Sequence, residues 1–204
     1  MENNMHSKVQ YIPCSLDLNR FKLKMYEWPK KIVLGWTGTF SSKHYLDSIR
    51  DVFYEADKYL DIKIILITNF DYSLEGLDYE VIRWRESSEI SDLHKIDIGL
   101  YPLIQTNWAL GKGGLKALQY MAAGIPAIAT NFGTVKDFIT HEKNGFLVDS
   151  TKQWVNAIKM VAEHPKLRNN IIINARITVE TNYSVSSNEK KYLNVFEALT
   201  KGLN

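Results

Sequence analysis

The residues of this sequence best suited to binding chemistry are two lysines beside a cluster of three glycines. Lys112 and Lys116 are four residues apart, and the glycines are Gly111, Gly113 and Gly114. A helix-like pattern begins here, and two lysines at a helix start repel each other and oppose the positive end of the helix dipole. A bound anion would reverse both effects, and glycines let backbone N–H groups approach an anion closely. The pattern indicates a phosphate site, with two solvated lysines on a surface turn as the alternative.

Gln119 extends this candidate site along the predicted helix. Lys112, Lys116 and Gln119 follow an i, i+4, i+7 spacing, which predicts that their side chains share one helical face. We predict the helix over about residues 115–123, because Gly124 can end it in the left-handed conformation.

The rest of the chain alternates predicted strands with predicted helices. Strands are predicted at 31–36, 62–68, 79–84, 96–102, 127–129 and 146–148. Most of them are apolar along their whole length, which is typical of a parallel sheet covered by helices on both faces. About six strands are too few to close a barrel. The sequence therefore predicts an α/β fold with a doubly wound, mostly parallel Rossmann-like sheet, followed by C-terminal helices.

Ligands of such sheets bind beyond the carboxyl ends of the strands. Three segments are predicted to lie there: the Gly35–Thr39 loop, the Trp84–Glu89 loop and the Gly111–Lys116 turn. Ser41 or Ser42 is the predicted N-cap of a helix after the first strand.

We divide the chain into three predicted parts. Residues 1–29 are an arm or linker, residues 30–183 form the Rossmann-like domain, and residues 184–204 are a C-terminal helix. An apolar stripe in the last part consists of Tyr192, Val195, Phe196 and Leu199.

Composition excludes several classes of protein. The net charge of +2 gives no reason to expect a nucleic acid partner. The single cysteine, Cys14, excludes a disulfide framework and favours the cytoplasm. The five histidines show no metal-ligand spacing, so we expect neither a metal nor a cofactor. No apolar segment is long enough to span a bilayer, which leaves peripheral membrane association through a partner as an open possibility.

Four segments of the sequence resemble the donor-binding, C-terminal domain of GT-B-fold group 1 glycosyltransferases, a retaining family. They are YIPCSLDLNRF, IVLGWTGTFSSKHYL, IDIGLYPLIQTNWALGKGGLKALQYMAAGIPAIAT and FGTVKDFITHEKNGFLV. The third segment is the most specific, through its K-x-x-Q-Y-M-A-A-G-x-P core. The resemblance implies one half of a GT-B fold that binds a nucleotide-diphosphate sugar as substrate.

The family's Glu-x7-Glu pair is replaced in this chain. In most members the second glutamate holds the ribose hydroxyls and the first contacts the sugar, and the matching positions are Gln119 and Gly111. Gln119 keeps an acceptor oxygen for a ribose hydroxyl. If it faces the ribose, Gln119→Glu should preserve or strengthen nucleotide binding. If it is instead a buried structural amide, the same change should lower the melting temperature. Gly111 has no side chain for a sugar contact. The resemblance implies a donor site, without a catalytic residue assigned, made of Gly38, Thr39, Arg85, Gly111, Lys112, Gly113, Gly114, Lys116 and Gln119.

The resemblance also implies a partner. The first segment resembles the family's interdomain linker, so the acceptor domain would be an N-terminal glycosyltransferase domain or a partner chain. We therefore expect the chain alone to bind a sugar nucleotide and transfer no sugar. Two alternatives remain: a degenerate nucleotide-binding or protein-interaction module, and an unrelated nucleotide-dependent enzyme of GT-B architecture such as an epimerase.

Overall fold

The computed structural model describes residues 10–24 and 31–201. The predicted arm over residues 1–29 is thus described only for residues 10–24. The predicted C-terminal segment is described up to residue 201, and its last three residues lie outside the described part.

Six strands form one parallel sheet in the order β3-β2-β1-β4-β5-β6. The strands are β1 Ile32–Gly38, β2 Ile62–Thr68, β3 Tyr79–Arg83, β4 Ile98–Tyr101, β5 Ala127–Thr130 and β6 Phe146–Val148. All five neighbouring pairs run parallel, with β1 Ile32 opposite β2 Ile62. The predicted doubly wound parallel sheet is therefore confirmed.

Apolar side chains cover both faces of this sheet. In β2, Ile64 and Leu66 pack into one core cluster, whereas Ile65 and Ile67 pack into a second cluster on the opposite face. Successive residues of a strand point to opposite faces, so a strand with core on both sides must be apolar throughout. This explains the continuous apolar runs of the sequence.

Eight α-helices surround the sheet in the described residues. They are α1 Lys43–Asp47, α2 Arg50–Asp57, α3 Glu89–Leu93, α4 Asn107–Leu110, α5 Leu115–Ala123, α6 Thr151–Glu163, α7 Pro165–Asn182 and α8 Val185–Lys201. Short 3-10 turns form at Phe40–Ser42, Glu86–Ser88 and Gly133–Asp137. None of the helices in the described part combines the length and the apolar content that crossing a bilayer requires.

The helical region after β1 differs from the prediction. Ser42, one of the two predicted caps, is the N-cap residue of α1, but its side chain makes no capping hydrogen bond to that helix. Thr39 is the N-cap of the 3-10 turn that precedes α1. The predicted single helix is split into α1 and α2, and Ser48 lies at the break with its hydroxyl donating to the Tyr45 carbonyl at 2.7 Å. Such local serine bonds compete with helix continuation.

The described part of the arm packs against the domain. Leu16 and Phe21 are buried in the core cluster that contains α5. Arg176 of α7 donates to the carbonyl of Phe21 at 2.8 Å and to that of Ala122 at 2.6 Å. By contrast, α8 exposes Phe196 and Leu199 by more than 60%.

Candidate functional site

The candidate site lies at the carboxyl edge of the sheet. Strand β1 pairs with β2 on one side and β4 on the other, so the chain reverses its direction of winding there. Open parallel sheets bind ligands at this kind of switch point. Two adjoining cavities open beside the end of β1.

The first cavity, here the Glu89 cavity, combines apolar walls with an amide, a carboxylate and a lysine. It is lined by Thr37, Gly38, Thr39, Ile67, Trp84, Glu89, Leu93, Lys116 and Gln119. These residues come from β1 and the residue after it, from β2, from the segment after β3, and from α3 and α5. Four of the predicted donor-binding residues, Gly38, Thr39, Lys116 and Gln119, thus meet in one cavity.

The second cavity, here the Lys112 cavity, is lined by aromatic residues, two lysines and the glycine turn. Its lining consists of Trp36, Ser42, Tyr45, Tyr101, Pro102, Leu103, Lys112, Gly113, Gly114, Leu115 and Lys116. No acidic residue is among them. Lys112, Gly113 and Gly114, predicted from the sequence, are therefore brought together with Lys116.

Lys116 lines both cavities. Its Nζ lies 5.1 Å from the centre of the Trp36 ring and 3.5 Å from the Ser42 hydroxyl. Burial, with a smaller contribution from the charge of Lys112, lowers the pKa of Lys116 to about 8. This ammonium has exchanged most of its water for an aromatic face and a hydroxyl, so Lys116 is not a solvated surface lysine.

Lys112 lies in the turn before α5, which changes the predicted geometry. Helix α5 begins at Leu115, because Gly114 takes a left-handed conformation with φ of +70°. Lys112 therefore does not share a helical face with Lys116 and Gln119. Its Nζ lies 5.2 Å from the centre of the Tyr45 ring, and it still borders the same cavity as Lys116.

The start of α5 is open to an anion. No side chain caps the helix at Gly114. The unpaired N–H groups at a helix start attract negative charge, and here the two lysines add full positive charges to the same cavity. The Lys112 cavity can therefore bind a phosphate group.

Gly38 keeps the end of β1 bare where the Glu89 cavity opens. A Cβ at this position would run into the Trp36 ring, and it would lie 2.7 Å from the Ser42 hydroxyl. The neighbouring Thr39 N–H donates to that hydroxyl at 3.1 Å, which fixes the loop. Only a glycine fits this turn.

Gln119 points toward a carboxylate. Its Nε2 donates to Glu89 Oε1 at 3.3 Å, and Trp84 Nε1 donates to the same oxygen at 3.3 Å. Arg20 of the arm lies 3.4 Å from Glu89 Oε2. The Glu89 side chain is only 18% exposed. An acidic acceptor is thus present beside Gln119, supplied by α3.

Two predicted site residues lie outside both linings. Gly111 is exposed at the end of α4, and a Cβ there would meet only the Trp108 carbonyl at 3.6 Å. Arg85 is exposed before the Glu86–Ser88 turn, and its neighbour Trp84 lines the cavity instead.

Sequence reasoning did not single out Glu89 or Trp84. Both lie in a segment predicted to follow a strand at the carboxyl edge, and that position was the available signal. Residue type alone did not distinguish Glu89 from Glu86, since both follow the same strand. Asp97, by contrast, is structural, since its Oδ2 accepts from the Val33 N–H at 2.9 Å.

Chemically, the two cavities can hold the two ends of one polar ligand. An anionic group fits the Lys112 cavity, and hydroxyl donors fit beside Glu89. Within residues 10–24 and 31–201, no group of three or more metal-ligating side chains is close enough to hold a metal ion.

Comparisons with known proteins find a family match for this sequence and solved structures with a similar fold. A family model described as "Glycosyl transferases group 1" matches residues 78–178. A search of curated proteins finds no match. The C-terminal domain of a group 1 family glycosyl transferase, LpcC, from Francisella tularensis is similar in fold, with a TM-score of 0.65 and 22% identity over 84% of this chain and 100% of the solved chain.

Two longer proteins share the fold as well. Sucrose-phosphate synthase from Thermosynechococcus elongatus has a TM-score of 0.74 and 16% identity, over 94% of this chain and 52% of that one. HepE from Anabaena, solved in complex with UDP and glucose, has a TM-score of 0.70 and 16% identity, over 90% of this chain and 55% of that one. This chain therefore spans about half the length of either protein.

Proposed function

Residues 78–178 match the group 1 glycosyltransferase family, and on this premise we propose that the chain binds the nucleotide-diphosphate sugar from which such an enzyme transfers the sugar. Its fold is that of one half of a GT-B glycosyltransferase. In the proposed mode the nucleoside lies in the Glu89 cavity. The diphosphate lies against Lys116 and Lys112, and the sugar lies farther along the Lys112 cavity.

One observation carries this proposal: Lys116 stands where the two cavities meet. A ligand that fills both cavities must place its middle beside the Lys116 ammonium. In a nucleotide-diphosphate sugar the middle is the diphosphate, which is negatively charged. HepE was solved with UDP and glucose, which supports the same class of ligand for this chain.

The two lysines also suit the chemistry of transfer. When the bond from the anomeric carbon to the diphosphate breaks, negative charge builds up on the departing phosphate oxygen. Fixed cations and helix N–H groups stabilise such charge more strongly where water is excluded. Lys116, held against Trp36 and Ser42, is fixed before the reaction begins.

We further propose that a second domain or partner chain supplies the acceptor and closes the cleft in the cytoplasm, where nucleotide sugars are available. Sugar transfer needs the acceptor aligned with the anomeric carbon, and closure excludes water. The chain spans only about half of the two longer solved proteins above. The exposed stripe of α8 supports contact with such a partner.

The test is a direct assay of the purified chain. Calorimetry with UDP, ADP and GDP should detect binding, and the matching free nucleosides should bind more weakly because they lack the diphosphate. Mass spectrometry should find no glycoside product from the corresponding sugar nucleotides and simple acceptors. Absence of binding by every nucleoside diphosphate and sugar nucleotide would contradict the proposal. Glycoside formation without a second polypeptide would contradict the need for a partner.

A nucleotide-binding module without catalysis is the second candidate function. It is favoured by Gly111, which has no side chain to contact a sugar and lies outside both cavities. Supplying the acceptor domain would separate the two candidates. A module without catalysis would bind the nucleotide and stay inactive, whereas the donor half of an enzyme would then transfer sugar.

A further inference from the structure

We propose that Glu89 recognises the ribose of the nucleotide by accepting hydrogen bonds from its hydroxyl groups, so that the chain prefers ribonucleotides to 2′-deoxyribonucleotides. This inference rests on the proposed function and adds a residue that determines specificity. Glu89, on α3, would supply the carboxylate that binds the ribose hydroxyls, because the α5 position carries Gln119 instead of a glutamate.

The position of Glu89 carries the first step. Its carboxylate borders the same cavity as Gly38, Thr39 and Lys116. It is the only acidic side chain in that lining. Since its side chain is only 18% exposed, the carboxylate faces the cavity and its neighbours more than bulk water.

The hydrogen bonds of Glu89 carry the second step. Trp84 and Gln119 each donate to Oε1 at 3.3 Å, and Arg20 lies 3.4 Å from Oε2. Charge-assisted hydrogen bonds are usually about 2.7–2.9 Å long, and a carboxylate offers roughly four acceptor sites. Trp84, Gln119 and Arg20 therefore orient this carboxylate through long contacts. Its oxygens can still accept shorter hydrogen bonds from a ligand.

The chemistry of the ligand carries the third step. Two neighbouring hydroxyl groups present two donors, and a carboxylate presents two acceptor oxygens. A phosphate group would be repelled by the same carboxylate and attracted by Lys112 and Lys116. The carboxylate of Glu89 and the ammonium groups of Lys112 and Lys116 thus orient the ligand, with its ribose toward Glu89 and its diphosphate toward the lysines.

Gln119 becomes a positioning residue in this arrangement. Its amide nitrogen is used by Glu89, so its role is to hold the carboxylate rather than to be the main acceptor for the ribose. The amide is better suited to this role than a second carboxylate, because an amide donates hydrogen bonds and a carboxylate does not.

The test measures the ratio of dissociation constants for 2′-deoxy and ribo forms of UDP, ADP and GDP by calorimetry. For the unchanged chain we expect a ratio of about ten or more for the diphosphates that bind, as is usual for a hydrogen bond to a charged group. Glu89→Gln keeps one neutral acceptor oxygen, so it should lower the ratio toward one while binding persists. Removing the negative charge should also tighten binding of the deoxy forms slightly. Glu86→Gln is the matched control, since Glu86 is exposed on the same segment and lines neither cavity, and it should keep the ratio.

Three results would overturn the inference. A ratio of dissociation constants near one for the unchanged chain shows that the protein does not recognise the ribose hydroxyl. This result does not depend on any variant. An unchanged ratio in Glu89→Gln shows that another group binds the ribose hydroxyls. If Glu89→Gln instead binds UDP, ADP and GDP with equal affinity and keeps the ratio of deoxy to ribo dissociation constants, Glu89 contacts the base and not the ribose. In each case, tight binding of the diphosphates leaves the proposed function standing, whereas no binding at all removes both. If Glu89→Gln does not fold, Glu89→Asp keeps the charge, shortens the reach and should lower the ratio.

Discussion

The two cavities at the carboxyl edge differ in charge although they share a wall. The Glu89 cavity contains a carboxylate oriented by an amide and an indole, whereas the Lys112 cavity contains two lysines and no acidic residue. Lys116 belongs to both. One side thus suits hydrogen-bond donors without negative charge, and the other suits an anion.

This difference also has a structural origin. The Lys112 cavity is built around a continuous stretch, the turn before α5 and the start of that helix. The Glu89 cavity depends on α3 packing against α5, which brings Glu89 to Gln119 across thirty residues of sequence. An anion site can therefore arise from a local turn, whereas the paired carboxylate and amide require the tertiary fold.

The strongest test of the local turn is Gly114→Ala. The substitution forces a Cβ onto a residue with φ of +70°, 2.6 Å from the Phe138 ring. Left-handed strain costs about 1–2 kcal/mol and overpacking about 1–3 kcal/mol, so the free energy of unfolding should fall by about 2–5 kcal/mol. Urea denaturation measures this loss.

Gly76→Ala separates the two causes. Gly76 has φ of +81°, and a Cβ there would meet nothing within 4 Å, so only the backbone strain applies. We expect a loss of about 1–2 kcal/mol. If both variants lose the same free energy of unfolding, Phe138 can move aside at little cost and the turn is not tightly packed against it.

Lys116→Ala tests the shared wall. It should weaken binding of a nucleoside diphosphate by about 1.5–3 kcal/mol and barely change binding of the free nucleoside, because the lost partner is a charged donor for phosphate. Calorimetry with UDP and uridine compares the two ligands. Lys152→Ala, an exposed lysine of α6 that lines neither cavity, is the control. Equal losses for both ligands would place Lys116 away from the diphosphate.

Gln119→Glu tests the Glu89 cavity, and here the structure favours the second of the two outcomes expected from the sequence, a loss of stability. A carboxylate at this position would lie beside Glu89 Oε1, where the amide now donates. Two like charges at this distance raise the pKa of the pair, so we expect the free energy of unfolding at pH 7 to fall by about 2 kcal/mol. The loss should shrink as the pH falls toward 5, because one shared proton then relieves the repulsion.

Gln119→Met is the control for that prediction. It removes the amide donor without adding charge, so its stability loss should not depend on pH in the same range. If Gln119→Glu were as stable as the unchanged chain at pH 7 and bound nucleotide more tightly, the pairing of Gln119 with Glu89 would be wrong.

The smallest expected effect is the dependence of diphosphate binding on pH. Burial lowers the pKa of Lys116 to about 8, so the free protein loses this charge between pH 7 and pH 9. Only the protonated lysine attracts phosphate, so the affinity should fall by up to about tenfold over this interval. Calorimetry of UDP at pH 7, 8 and 9 measures the fall, and Lys116→Ala should abolish it. A flat profile in the unchanged chain would show that the diphosphate does not contact Lys116.

The sheet and its helices were predictable because their signals are local. Continuous apolar runs indicated buried parallel strands, and Gly124 correctly marked the end of α5 with φ of +76°. The break between α1 and α2 was not predictable from apolar spacing, since Ile49 and Phe53 stay in register with a single helix. The break coincides with the hydrogen bond from the Ser48 hydroxyl to the Tyr45 carbonyl. Whether a serine forms this local bond depends on the tertiary structure around it.

The candidate site was predictable only in part, for the same reason. Glycines before a helix and nearby lysines pointed to Gly113, Gly114 and Lys116 without any tertiary information. The partnership of Glu89 with Gln119 needs the packing of α3 on α5. The burial of Lys116 against Trp36 needs the end of β1 to pass beneath α5. Neither is encoded in a spacing pattern.

Tyr120 ties α5 to the sheet directly beneath the two cavities. Its fully buried hydroxyl accepts from the Thr37 N–H at 3.0 Å, and its ring occupies the space above Gly99 where a Cβ would clash. The amide hydrogen of Thr37 can therefore exchange with deuterium only when α5 lifts from the end of β1. Slow exchange at this one amide, in the absence of nucleotide, would mean that the helix is already seated when a ligand arrives. Association would then be fast, since it would not wait for a rearrangement of the backbone.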